Sequence, residues 1–338
     1  MSDQPPSSDR FLGESALKAA QSKFKLDTDE EGYVKGFDPD DSAGIKAFFD
    51  EWGFVVARGV ISAELCDAVV QEFWETGKPP QDPDKPETWD AFWEAQMFRR
   101  MGIVGNLPQV RKPRLLDLRQ QPNLHKVYAS VHHEEELWVD HDRLGVMRPT
   151  QLPSGPRPDW KTLSSWLHID CNPVSGMTDV GSFALDSSGP ERMDFEANLY
   201  VQGFVALTDA RLHDGGFHCV PGSPCLIDLY LDRGGPGAGN IQIGKPGHPI
   251  WDYVHRLPVR KGSSVIWNSL TLHGNYPNDS DRFRMVAYAR MLPHNRGFTP
   301  LIHDAQRLPE GFVLTALGHR LFGLPPAAEN PSSSRAAE

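Results

Sequence analysis

His168-Ile169-Asp170 is the first group in this chain whose residue types and spacing could do chemistry, and His273 and Arg284 are the later residues that could complete it. On a β-strand alternate side chains share a face, so His168 and Asp170 can point into one cavity. Two imidazoles and one carboxylate on three adjacent corners of a metal leave other corners open, which is the donor set of oxygen-activating non-haem iron. Alone, the triplet reads more readily as a hydrogen-bonded strand histidine beside a carboxylate. Its surroundings favour the metal.

Each of these residues adjoins a segment with strand character. Leu163-Ser164-Ser165-Trp166-Leu167 leads into His168 as the end of an apolar strand. Gly262-Ser263 reads as a turn, Ser264 to Asn268 as a buried strand, and Ser269 to Leu272 as the approach to His273 at a mouth-like loop. In Arg282 to Arg290, period two places Arg284, Val286, Tyr288 and Arg290 on one face and Phe283, Met285, Ala287 and Ala289 on the other. An arginine among apolar residues needs an anionic partner, because an unpaired buried guanidinium is costly. A structural carboxylate could serve, and so could a dicarboxylate cosubstrate gripped by the planar fork.

The remaining elements supply the frame. Short β-branched and aromatic runs are expected as strands at Trp138–Val139, Leu144–Arg148, Leu163–His168, Leu199–Leu207, Phe217–Val220, Ser264–Asn268 and Phe283–Met291, the pattern of an antiparallel sandwich or jelly roll. Ahead of them, Ser42 is expected to cap a helix running to Trp52 and stopped by Gly53. Ser62 is expected to cap a second helix carrying Leu65, Val69 and Phe73 and ending at Gly77. From Pro79 to Leu124 the pattern is irregular, and Trp89, Phe92, Trp93, Met97 and Phe98 fit either a lid or a surface helix packed by its aromatics. Val313, Leu314, Leu317 and Leu321 have helical spacing. Residues 1–30 and 325–338 are poor in groups to bury and are expected to be mobile, leaving 31–324 as a single domain.

Composition bounds the partners. The chain has 338 residues, 39% of them hydrophobic, enough for a sizeable core. Its net charge of −11, from 45 acidic against 34 basic residues, argues against a general nucleic-acid or anionic-membrane binder. Neither a secretory signal nor a membrane span is apparent, and a cytoplasmic protein is expected; a small-molecule substrate and a monomer or homodimer are expected as well. Cys66, Cys171, Cys219 and Cys225 are few and irregularly spaced, as reduced and mostly buried thiols would be.

Other clusters have plainer readings. His132-His133 with Glu134-Glu135-Glu136 reads as a solvated charged face, and His213 and His218 as turn or pocket-edge residues. Asp140, His141 and Asp142 read as strand-edge residues. Gly234 to Gly239 lacks the GK[ST] ending of a phosphate loop and reads as a flexible loop.

From about Ile45 to Leu324 the chain resembles the phytanoyl-CoA dioxygenase-like branch of the iron(II)/2-oxoglutarate-dependent oxygenases. The resemblance rests on the elements above, on Phe49-Asp50-Glu51-Trp52-Gly53-Phe54 to Val60, and on Tyr200-Val201-Gln202-Gly203-Phe204-Val205-Ala206-Leu207-Thr208-Asp209 followed by Gly215-Gly216-Phe217-His218-Cys219-Val220-Pro221-Gly222-Ser223-Pro224. Phe204 stands where the family commonly has Trp, and Pro224 where it has His, which leaves the substrate side open.

The resemblance implies a mainly β fold with flanking helices, a cupin-like double-stranded β-helix or jelly roll. It implies Fe(II), 2-oxoglutarate and O2 as cofactors, with His168, Asp170 and His273 as the metal ligands and Arg284 on the distal carboxylate of the cosubstrate. Asn275, Gln202 and Phe204 are expected to line the same cavity, and Arg148 or Arg143 to assist at its other end. Because Asp170 is retained where related halogenases have a small residue, hydroxylation with release of succinate and CO2 is the implied outcome. The alternatives are a cupin-type metalloenzyme that does not use 2-oxoglutarate, for which Arg284 has no purpose, and a non-catalytic binding jelly roll.

Overall fold

A computed structural model describes residues 14–96, 98–105, 111–140, 142–164, 166–170, 183–185, 200–225, 241–242, 247–294, 298–300 and 308–325. In chain order its principal strands are β1 (Phe54–Ala57), β2 (Ile103–Val104), β3 (Leu144–Met147), β4 (His168–Ile169), β5 (Val201–Ala206), β6 (Gly216–Cys219), β7 (Ile241–Gln242), β8 (His255–Arg256), β9 (Ser264–Asn268), β10 (His273–Tyr276) and β11 (Arg284–Tyr288). They form a six-stranded sheet ordered β1-β9-β5-β11-β3-β2 and a five-stranded sheet ordered β7-β4-β10-β6-β8. All the pairings are antiparallel.

Strand alternation divides the large sheet into two apolar faces. Phe54, Val56, Phe204, Ala206, Val265, Trp267 and Val286 pack together with Phe217 and Cys219 of the small sheet, filling the space between the sheets. Their neighbours Val55, Ala57, Val205, Ile266, Met285 and Ala287 face the other way, into a second core under the helices. Two facing antiparallel sheets closed over a shared interior, with helices on one outer face, make the double-stranded β-helix expected from the sequence.

The helices are α1 (Glu14–Gln21), α2 (Ser42–Trp52), α3 (Ala63–Thr76), α4 (Trp89–Glu94), α5 (Pro113–Arg119), α6 (Pro122–His132) and α7 (Ala316–Leu321). The cap of α2 is Asp41 rather than Ser42; its carboxylate accepts the Gly44 N–H at 2.9 Å. Ser62 caps α3 as expected, through Leu65 N–H. Gly53 ends α2 at φ 76°, and its carbonyl then accepts Asn268 N–H at 2.8 Å and the Thr271 hydroxyl at 2.6 Å. The end of α2 thereby braces the turn that delivers His273. No helix among the described residues is long and apolar enough to cross a membrane.

Several expectations need correction. The first 30 residues are not wholly mobile: α1 buries Leu17 completely against Leu167, Ile169, Val220, Ile250 and Leu272, and Gln21 donates to the carbonyls of Pro221 and Tyr253. Leu163, Ser164, Trp166 and Leu167 are not in a strand, since β4 begins only at His168, and Ser165 lies outside the described residues. In the 79–124 region Trp89, Phe92 and Trp93 are buried, and their rings meet Phe73 and Phe283, which is a packed helix rather than a lid. Leu124, Val127, Tyr128 and Val131 form an unanticipated buried stripe on α6.

The histidine clusters also differ from their sequence readings. His132 is buried, with its Nε2 on the Met291 carbonyl at 2.9 Å, so it is not part of a solvated face. His218 is a buried residue of β6, not of a turn. Cys66 and Cys219 are buried free thiols, and Cys225 is exposed. Met97, His141, Cys171, the Gly234 to Gly239 loop and the tail beyond residue 325 lie outside the described residues.

Candidate metal centre

β4 and β10 are neighbours in the small sheet, and the residues that face each other across them are His168 and His273. Asp170 follows directly on β4, and its backbone N–H donates to Ser269 O at 2.8 Å, just beyond β9. The three side chains converge: His168 Nε2 lies 3.5 Å from Asp170 Oδ1 and His273 Nε2 lies 3.4 Å from Asp170 Oδ2. One ligand atom from each falls within 4.8 Å of the others, and all three residues are buried. Among the described residues, this is the one group of His, Cys, Asp or Glu side chains able to hold a metal. Cis ligands about 2.1 Å from an octahedral ion stand about 3 Å apart, close to the separations seen.

The imidazoles are pinned in the required tautomer. His168 Nδ1 meets Trp166 O at 3.1 Å, and His273 Nδ1 meets Thr271 O at 2.9 Å. A carbonyl only accepts, so each Nδ1 carries the hydrogen and each Nε2 presents its lone pair to the centre. Trp166 stacks on His168 at 4.2 Å and 12°, while His273 packs beside both Phe217 and Trp267, with centroids 5.6 and 5.0 Å away. Burial lowers the pKa of His273 to about 4 against the opposing pull of Asp170, so its ring is neutral near pH 7. For Asp170, burial works to raise the pKa, but the two histidines and the Trp267 N–H outweigh it and hold the carboxyl at about 2. A neutral His273 imidazole and an ionised Asp170 carboxylate are protonation states that a divalent metal binds.

Arg284 lies on the large sheet, 1% exposed, with its guanidinium carbon 5.1 Å from the centre of the Phe204 ring. Its Nε and Nη1 are buried without a hydrogen-bond partner among the described residues. Burial depresses its pKa, and the Tyr288 side chain, hydrogen-bonded to both Arg284 and Asn275, is its described polar neighbour. Asn275 follows His273 on the same face of β10. Asn275 and Tyr288 thus link the strand that carries His273 to an arginine that has no carboxylate partner among the described residues.

The other expected contacts separate. Phe204 lies in the interior beside Arg284. Gln202 accepts from Arg290 Nη1 at 3.3 Å, and Arg290 also pairs with buried Asp140, so these two join a polar group of their own. Arg148 is displaced from its expected role: it bonds Asp90 at 2.7 Å and stacks on Trp93 and Trp160. Asp90 and Trp93, from the 79–124 region, and Trp160, from a later segment, are therefore its partners. Arg143 is likewise taken up by Asp142 and the Phe98 ring.

Sequence reasoning did not identify Trp166, Trp267 or Thr271 as neighbours of the centre. Trp166 and Thr271 each precede a histidine by two residues, a spacing that could have indicated the carbonyl contacts. Trp267 donates its indole N–H to Asp170 Oδ2 at 2.9 Å, a contact between segments far apart in sequence.

A family model described as phytanoyl-CoA dioxygenase (PhyH) matches residues 182–286. A putative phytanoyl-CoA dioxygenase of Dictyostelium discoideum is 27% identical over 351 residues, covering 89% of this chain and 98% of that protein. Among solved structures, the epimerase SnoN in complex with Fe3+, alpha ketoglutarate and nogalamycin RO aligns over 82% of this chain and 93% of its own, at 16% identity and TM-score 0.51. GlcNAc Inducible Gene 2, GIG2 (DUF1479), of Candida albicans aligns over 86% of this chain and 79% of its own, at 14% identity and TM-score 0.54. The structural likenesses speak to the fold. The sequence likeness runs through nearly the whole chain, and the family match takes in both His273 and Arg284, so in sequence the chain is similar to phytanoyl-CoA dioxygenases.

Proposed function

We propose that the protein is a non-haem iron(II)- and 2-oxoglutarate-dependent dioxygenase that hydroxylates an aliphatic C–H bond of a small molecule and releases succinate and CO2. The observation that carries this reading is the buried Arg284 fork, with Nε and Nη1 unpaired, inside the same barrel as the His168, Asp170 and His273 donors. A guanidinium desolvated without a counter-ion costs stability, and a bound dicarboxylate removes that cost. A metal enzyme that took no such cosubstrate would have no use for it.

The residues present fit the metal and its cosubstrate. His168 and His273 would offer Nε2 and Asp170 one carboxylate oxygen, a set suited to Fe(II), and the crystal of SnoN, which shares the fold, holds Fe3+ and alpha ketoglutarate. When bound, iron and 2-oxoglutarate supply the oxidising chemistry with O2. The chain's own part is positional. Arg284 would grip the distal carboxylate, Tyr288 and Asn275 would orient that grip, and Phe204, Phe217 and Trp267 would keep water from the interior. Asp170 occupies a coordination position that a halogenase would leave to halide, which supports hydroxylation.

The test is oxygen-dependent release of succinate from 2-oxoglutarate, measured with Fe(II)-loaded protein across amino acids, acyl thioesters, nucleotides and secondary metabolites. The expected result is slow release alone, stimulation by one substrate class, and a product carrying one added oxygen. Iron-loaded protein that releases no succinate under any condition would overturn the reading.

A further inference from the structure

The two histidines of the centre are fixed by a strand pairing and by carbonyls two residues before them, but Asp170 lies past the end of β4 and has no ladder partner. What holds it comes from the opposite sheet. Its N–H donates to Ser269 O at 2.8 Å, and its Oδ2 accepts the Trp267 indole N–H at 2.9 Å. Trp267 itself is 4% exposed, paired in the ladder with Phe54 and Gln202, and wedged against Phe217, His273 and Phe204 with centroids 4.7, 5.0 and 6.0 Å away. It has little freedom to turn, so the direction of its N–H is set by the barrel.

We infer that Trp267 is a positioning residue for the metal-binding carboxylate: by occupying Asp170 Oδ2 it leaves Oδ1 to bind the metal through one oxygen. This rests on the dioxygenase reading above and extends it to a residue outside the donor set. An indole N–H donates and never accepts, so it pairs only with an unprotonated carboxylate oxygen. A carboxylate that swung to bind through both oxygens would take a second position at the metal. That position is one the cosubstrate or O2 requires. A hydrogen bond from a wedged ring to one oxygen opposes the swing, and the Ser269 contact holds the backbone in register while it does so.

The test uses Trp267→Phe, which keeps an aromatic ring but deletes the donor. It is paired with 3-benzothienylalanine introduced at position 267, which keeps the bicyclic shape and replaces N–H by sulfur. Both are compared with wild type by anaerobic Co(II) titration, reading the dissociation constant and the visible d–d spectrum. Loss of an outer hydrogen bond of this kind lowers metal affinity roughly ten- to a hundred-fold. Both substitutions are expected to do so, with an altered d–d spectrum and a thermal midpoint for the isostere close to wild type. If the Phe variant does not fold, the isostere alone decides. Wild type that binds Co(II) alongside an isostere of unchanged affinity and spectrum would overturn the inference while leaving the dioxygenase reading intact. Wild type that binds no Co(II) would overturn both.

Discussion

His168 and His273, far apart in sequence, are direct cross-strand partners of β4 and β10, and each donates from Nδ1 to the carbonyl two residues before it. The sheet sets their separation and the carbonyls set their rotation. Neither ring has to search for its orientation when a metal arrives, which is the pre-organisation that favours tight binding.

Arg284 is expected to trade stability for cosubstrate binding. Replacing it with Met removes a buried guanidinium whose Nε and Nη1 are unpaired, so the metal-free Arg284→Met protein should melt no lower than wild type. The 2-oxoglutarate requirement should rise on the order of a hundred-fold, as loss of a charge-assisted contact implies, while Co(II) affinity stays within about threefold. Thermal melting with and without metal plus 2-oxoglutarate checks this. An equal 2-oxoglutarate-dependent rise in the variant's midpoint would refute the role.

Tyr288 links Arg284 to Asn275. For Tyr288→Phe, the loss of about one hydrogen bond should raise the KM for 2-oxoglutarate roughly fivefold with kcat largely kept. A fall in kcat at unchanged KM would show that the hydroxyl acts elsewhere.

Acid should destabilise the metal-free protein through two buried imidazoles. Burial lowers His218 to about 3 and His273 to about 4, so both stay neutral in the folded state while the unfolded chain takes up protons below its ordinary value of 6.5. The unfolded state then binds more protons, and stability falls as pH drops from 6.5 towards 4. The slope approaches about 1.4 kcal/mol per pH unit for each histidine. Denaturant unfolding of metal-free protein at pH 7, 5.5 and 4.5, chosen as roughly even steps across that window, measures it. His218→Gln should remove about half the slope, and a flat profile in wild type would contradict the account.

Gly53 offers a test of the bracing of His273. A Cβ there would sit 2.6 Å from Thr271 Oγ1 and from Pro224 Cγ, on a residue with φ +76°. Gly53→Ala should cost about 2–4 kcal/mol and also weaken metal binding, because it disturbs the turn before His273. Gly59 has φ +60° with nothing within 4 Å, so Gly59→Ala should cost only about 1 kcal/mol and leave metal binding alone. Urea unfolding and Co(II) titration of both variants distinguish the two. Equal effects on metal binding would argue against the brace.

The donor residues were legible because strand alternation is local: His168 with Asp170, and Arg284 with Tyr288, share a face whatever the rest of the chain does. The jelly roll followed from the number and spacing of short strands. Arg148 was misread because its partners, Asp90, Trp93 and Trp160, come from distant segments, and a charged side chain goes where its counter-ion and flat rings are. The Trp267 contact with Asp170 was invisible for the same reason, being made across two sheets. Helix α6 went unrecognised although Leu124, Val127, Tyr128 and Val131 have helical spacing, because the polar residues between them mask the stripe. For α1, one apolar residue, Leu17, makes the principal anchor, too little to register as a pattern.

The central claim, that one iron held by His168, Asp170 and His273 shares its barrel with 2-oxoglutarate held by Arg284, is tested most directly by anaerobic addition of Fe(II) and 2-oxoglutarate to wild type and Asp170→Ala. The account predicts a weak visible charge-transfer band from the chelated complex in wild type and none in the variant. Wild-type protein that binds iron yet shows no band with saturating 2-oxoglutarate would contradict it.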